Sequence, residues 1–139
     1  MKLMRIGPKG QERPVVMDAS GALRDLSGVV PDFAGDGVSL AALDAIRALD
    51  LATLPELPEG ARIGSCLAGV PNFYCIGLNY ARHAAETGAQ PPAEPIVFTK
   101  AVSALAGPND PVAIPPGSVK SDWEVELGVV IGAPCWQVS

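Results

Sequence analysis

Three acidic residues stand at alternate positions in the run Asp122-Trp123-Glu124-Val125-Glu126-Leu127. On a strand, successive side chains point to opposite faces. Asp122, Glu124 and Glu126 then project one way, and Trp123, Val125 and Leu127 the other. Neighbouring carboxylates on that face start roughly 6.6 Å apart at the backbone, and their side chains can converge. Gathering anions beside an apolar continuation is costly unless a cation offsets them. Oxygen-only ligands suit a hard ion, Mg²⁺ first, with Mn²⁺ or Ca²⁺ as alternatives. The same alternation also describes an ordinary strand with one wet face. From this segment alone both readings stand.

His83 is the only histidine. On a helix it falls three residues before Glu86, within side-chain reach. A carboxylate on one ring nitrogen fixes the tautomer and raises the basicity of the other, which a general base acting on water requires. A surface His–Glu pair of little energetic weight explains the same spacing. Lys100 closes an apolar run in which Ile96 and Phe98 share its face. It can stabilise developing negative charge on a substrate, or simply mark where a strand reaches water.

These groups need elements to hold them. Residues 73–78 read as a strand interrupted by Gly77 and running into a tight bend. Asn79 is placed to cap a short helix over 80–87, with Gly88 ending it in the left-handed conformation. A proline-rich loop at 89–95 leads to a strand at 96–100. Residues 121–131 make the longest strand candidate, its apolar second half buried on both faces. Upstream, residues 1–30 alternate short apolar runs with turn formers, the pattern of an antiparallel meander. A helix follows at 40–49, capped by Ser39, with Leu40, Leu43, Ile46 and Leu49 on one stripe. Residues 51–61, rich in Pro and Glu, read as a linker. The first part gathers no polar groups of catalytic type, so its job is packing. The boundary near residue 65 divides a small N-terminal meander-plus-helix domain (1–65) from an incomplete catalytic domain (66–139).

Composition agrees with such a plan. The chain has 139 residues, 48% of them hydrophobic and 18% charged, enough to build a core and too apolar for wholesale disorder. Fifteen glycines and fourteen prolines argue for many turns between short elements rather than a helical bundle. A net charge of −5 disfavours nucleic-acid or anionic-membrane partners. No apolar run reaches the length of a membrane helix, and the start lacks a signal-peptide core, so a cytoplasmic location is expected. Cys66, Cys75 and Cys135 are odd in number and widely spaced, which suggests buried free thiols rather than a disulfide framework or zinc site.

Taken together, four stretches resemble the fumarylacetoacetate hydrolase family. They are Ile76-Gly77-Leu78-Asn79-Tyr80-Ala81-Arg82-His83-Ala84-Ala85-Glu86, then Glu94-Pro95-Ile96-Val97-Phe98-Thr99-Lys100, then Gly107-Pro108-Asn109-Asp110, and finally residues 122–132, which open with the acidic run. The resemblance implies a mostly β fold with short helices (α+β): a small N-terminal domain followed by a truncated mixed β-sandwich roll, dimeric when full length. It implies Mg²⁺ or a similar ion, and a small oxo-acid substrate whose carbon–carbon or related bond is cleaved through an enolate that a divalent cation stabilises. Some bacterial members carry the label ureidoglycolate lyase.

By motif match Glu124 and Glu126 are metal ligands, His83 with Glu86 is a water-activating dyad, and Lys100 is a charge stabiliser. Residues 87–95 become a mobile cover over the site. Arg82 is a weak candidate for holding a substrate carboxylate. The family's third acidic ligand lies beyond the Glu-x-Glu strand, outside this chain; Asp122 lies on the correct face to replace it. An alternative expectation is a catalytically inactive fragment that pairs with a full-length homologue through an unpaired strand edge. A third is a non-catalytic acidic domain with a casual divalent-ion site.

Overall fold

The computed structural model describes residues 1–138. The chain divides into two compact units, one formed by Met1–Ala68 with the segment that begins at Gly107, the other by Gly69–Ala106. It is mostly β with short helices, and all its strand pairs are antiparallel.

In the first unit the expected meander forms. Strands β1 (Lys2–Ile6), β2 (Arg13–Met17) and β3 (Leu23–Asp25) lie in the order β1-β2-β3. Leu3 stands opposite Val16, and Val16 opposite Arg24. The turn into β3 is organised by Asp18, whose carboxylate accepts from the amides of Ser20 (2.8 Å) and Ala22 (3.0 Å) and from Arg24 Nε (2.7 Å). Asp and Ser suit such turns because their side chains bond the nearby backbone.

Helix α1 (Leu40–Arg47) starts as the sequence predicts. The Ser39 hydroxyl accepts from the Ala42 amide at 3.2 Å, satisfying one of the donors orphaned at a helix start. Of the predicted stripe, Ile46 is buried, Leu43 and Leu49 are half-buried, and Leu40 is exposed. The core gathers Val16, Leu26, Val30, Phe33 and Ile46. Phe33 and Leu26 are the largest of its fully buried side chains.

Residues 51–61 are not the linker their composition suggests. Leu51 and Leu54 pack on the core, and Leu51–Thr53 forms a 3-10 turn capped by Asp50. Glu56 bridges to Arg24, and Asp25 donates its amide to Pro55 O at 2.8 Å. The prolines shape a path along the sheet edge; they do not release the chain from it.

The second unit holds a two-stranded sheet, one α-helix and a 3-10 turn at Val102–Ala104. Strand β4 (Tyr74–Gly77) pairs with β5 (Ile96–Thr99), with Cys75 opposite Phe98 and Ile76 opposite Val97. Between them lies α2 (Ala81–Glu86). The buried residues on these elements are Cys75 and Ala84.

The largest correction concerns residues 121–131. They belong to neither sheet, and Trp123, Val125, Leu127, Val129 and Ile131 are exposed rather than buried. Alternation and β-branching specify what a strand would present to its neighbours, but pairing needs strands that the described residues do not supply. The cysteines divide likewise: Cys75 is buried as expected, whereas Cys66 and Cys135 are exposed, all three as free thiols.

Candidate active site

The bend between β4 and α2 differs from its sequence reading. Gly77 completes the strand, and the left-handed residue is Leu78, at φ 51°. A bulky residue there is a genuine outlier, of the kind that clusters at functional sites. Asn79 does not cap the helix. Tyr80 occupies the N-cap position with no side-chain cap bond, and α2 runs for six residues instead of eight.

Its far end forms as predicted. Gly88 is left-handed (φ 72°), its amide donates to Ala85 O at 3.1 Å, and the Ala89 amide reaches Ala84 O at 2.8 Å. This pair of bonds closes the helix end in a Schellman arrangement. It pins the short helix from the C-terminal side, one turn from His83.

His83 and Glu86 are brought together on that helix, with Nδ1 and Oε2 3.8 Å apart. Both remain accessible, at 42% and 76% of side-chain surface, so the pair can meet a solute from outside. Lys100 lies one residue past β5, where its amide donates to Phe73 O at 3.0 Å. Its ammonium stands 6.0 Å from the centroid of the Phe98 ring, the neighbour expected on the same face.

Glu124 and Glu126 sit in the exposed segment of the first unit. Asp122, also exposed, accepts from the Trp123 amide at 2.8 Å through one carboxylate oxygen. Among the described residues no group of three or more His, Cys, Asp or Glu is placed to hold a metal ion. What Glu124 and Glu126 offer is an oxygen-only pair of donors. That fits a hard dication in kind, since Mg²⁺ commonly takes one or two carboxylates and keeps water or substrate in its remaining positions.

The first unit also gathers charges that sequence reasoning missed, against the expectation that it only packs. Arg5, almost fully buried, grips Asp32 with two bonds: Nε–Oδ1 at 2.7 Å and Nη2–Oδ2 at 2.9 Å. Glu12 lies between two arginines, with Oε2 3.4 Å from Arg5 Nη2 and Oε1 2.8 Å from Arg62 Nη1. Arg62 in turn forks onto Asp110, Nε to Oδ1 at 2.7 Å and Nη2 to Oδ2 at 2.6 Å. The Gly107 amide adds a third bond to Asp110 Oδ2 at 2.8 Å.

Electrostatics follow the contacts. The Arg62 fork, aided by the Gly107 amide, holds the Asp110 carboxyl down to about 2. Arg62 also lowers Glu12, and the two acids raise Arg62 in return. Only the Gly107-Pro108-Asn109-Asp110 motif hinted at this cluster. No periodicity could link Arg62 to Asp110, 48 positions on.

Residues 72–139 match the family described as "Fumarylacetoacetate (FAA) hydrolase C-terminal". A protein of Burkholderia multivorans named for an inferred hydrolase activity is 60% identical over 138 residues, covering 99% of this chain and 49% of its own length. A counterpart in Burkholderia cenocepacia is 59% identical with the same coverage. The chain thus spans about half the length of the curated relatives it matches.

Two solved structures are similar. One, from Mycobacterium smegmatis and assigned as HpcE, superposes with a TM-score of 0.60 at 27% identity over 85% of this chain and 42% of its own. The other, a fumarylacetoacetate hydrolase from the psychrophile Exiguobacterium antarcticum, gives 0.54 at 28% identity over 81% and 39%. The motifs, their order and these likenesses agree: residues 72–139 of the chain belong to the fumarylacetoacetate hydrolase family.

Proposed function

We propose that this chain carries part of the machinery of a metal-dependent hydrolase or lyase acting on a small 2-oxo acid of the diketo type. The observation that carries this reading is the family match over 72–139, within which His83 and Glu86 share one turn of α2. Glu124 and Glu126 are the protein ligands of the cation. A dication held there would supply Lewis acidity toward the negative charge developing on a 2-oxo carboxylate.

The chain's own groups supply the proton chemistry. A hydrogen bond from Nδ1–H to Glu86 would hold His83 in the tautomer whose Nε2 can take a proton from water. At 3.8 Å the contact is longer than a hydrogen bond. Such contacts commonly tighten when substrate binds. Lys100 contributes a cation for negative charge on the substrate. The net charge of −5 favours a small chelating acid met through its metal over nucleic acid or an anionic membrane.

The direct test is turnover of a small 2,4-diketo acid with and without Mg²⁺, followed by loss of its ultraviolet absorbance. Magnesium-dependent turnover that disappears in Glu124→Gln and drops about 100-fold or more in His83→Asn supports the proposal. Turnover retained in either variant overturns the corresponding role. A second reading, a non-catalytic chain that pairs through residues 121–131, is favoured by the exposure of Trp123, Val125 and Leu127. It predicts no turnover by the chain alone and association with a full-length homologue.

A further inference from the structure

Burial is divided unevenly along the chain. In the first unit's sheet both outer edges are covered, β1 by a bridge between Ile6 and Ile63 and β3 by one between Arg24 and Glu56. Among the described residues, the large apolar side chains left exposed before residue 72 are Met1, Val29 and Leu40; all the others lie between Tyr74 and Val138. They are densest at 121–131, where Trp123, Val125, Leu127 and Val129 are 76–81% exposed. The chain exposes 10526 Å², whereas a compact monomer of its 14.3 kDa exposes roughly 6,800 Å². The excess, about 3,700 Å², is several times the roughly 800 Å² that each partner gives up in a standard interface. Covering it takes a partner of domain size, not a peptide.

The relatives point to what that partner is. They match this chain over 138 residues, only 49% of their own length, and so carry about as much polypeptide again outside the match. The exposed stretch falls inside residues 72–139, the part that matches the family. A second copy of this chain fits less well. Antiparallel pairing of 121–131 with itself sets Asp122, Glu124 and Glu126 against the same acids of the other copy, and like charges directly opposite destabilise a strand pair. We propose that residues 121–131 are a docking strand for the half of a relative that lies outside its match to this chain. That half adds a strand alongside 121–131 by backbone hydrogen bonds, and its apolar side chains cover the row from Trp123 to Val129. The inference rests on the likeness to these relatives and on no catalytic role.

The test is co-expression of the tagged intact chain with the part of the Burkholderia multivorans relative outside the 138 matched residues. The two co-purify as a one-to-one complex by sedimentation equilibrium. Within it, amide hydrogen exchange over 121–131 is as slow as over β1 and β2. Val125→Lys and Val129→Lys, both at exposed sites that the chain's own core does not use, each lower the recovered complex about ten-fold or more. Arg47→Gln, which breaks the exposed Arg47–Asp44 pair on α1, leaves recovery unchanged.

A half that does not co-purify overturns the proposal. So does a complex in which 121–131 exchanges freely, or one recovered at wild-type yield with both lysine variants. Dimers of the chain alone with 121–131 protected assign the strand to a second copy instead. Equal capture of the intact relative overturns the choice of partner, since an intact relative already holds this half. No arm reads turnover, so failure here leaves the proposed reaction standing.

Discussion

Asp110 illustrates how much a single side chain can depend on distant sequence. Its carboxyl is held at about 2 instead of 3.8, chiefly by the Arg62 fork. A depressed carboxyl contributes stability that is complete above the unfolded value and is lost as pH falls through the folded one. The contribution therefore persists down to about pH 3.8 and drains away towards pH 2. Replacing Asp110 by Asn flattens the acid limb of the unfolding curve in that window, which an acid titration followed by circular dichroism reads directly. An unchanged limb would show that Asp110 is not the group responsible. His83–Glu86 was legible because three-residue spacing on a helix is a local rule. The Arg62–Asp110 fork was not, since nothing short of the fold brings the two together.

Elements resolve along the same line. The meander, α1 with its Ser39 cap and the glycine-terminated end of α2 all follow from local chemistry, and all are present. Ser39→Ala accordingly destabilises by about 1 kcal/mol, the usual worth of an N-cap. Phe33→Ala, which empties a fully buried aromatic site, costs about 3–5 kcal/mol. Gly107→Ala forces a methyl group into the Ile63 carbonyl and costs at least about 1–3 kcal/mol. Urea unfolding midpoints check each, and a near-wild-type Gly107→Ala would mean that the close approach is not maintained in solution.

Where sequence reading erred, the determinant was tertiary. The apolar half of 121–131 asks for neighbours on both faces, and its pattern records that demand without showing whether it is met. The stretch at 51–61 looked like a linker because Pro and Glu dominate it. Leu51 and Leu54 pack it on the core, and Pro55, Glu56 and Leu57 tie it to β3.

For the molecule as a whole, the exposed row Trp123, Val125, Leu127, Val129 is the feature most at odds with a self-contained fold. Large exposed apolar rows mark surfaces that associate. Leu127→Lys is expected to lower concentration-dependent association in sedimentation velocity, and unchanged association would assign it to another surface. The family resemblance was legible from four motifs, because their glycines, prolines and charged residues fall in an order and spacing that chance composition does not produce. Three of the proposed functional residues, His83, Glu86 and Lys100, lie in one unit, and Glu124 and Glu126 lie in the other. Cation binding by the carboxylate pair therefore comes before every other proposed step. Calorimetric titration of the intact chain with Mg²⁺ tests that pair most directly. Wild type is expected to bind one ion per chain and the Glu124→Gln/Glu126→Gln double variant none; equal binding by both proteins would contradict the assignment of these glutamates as ligands.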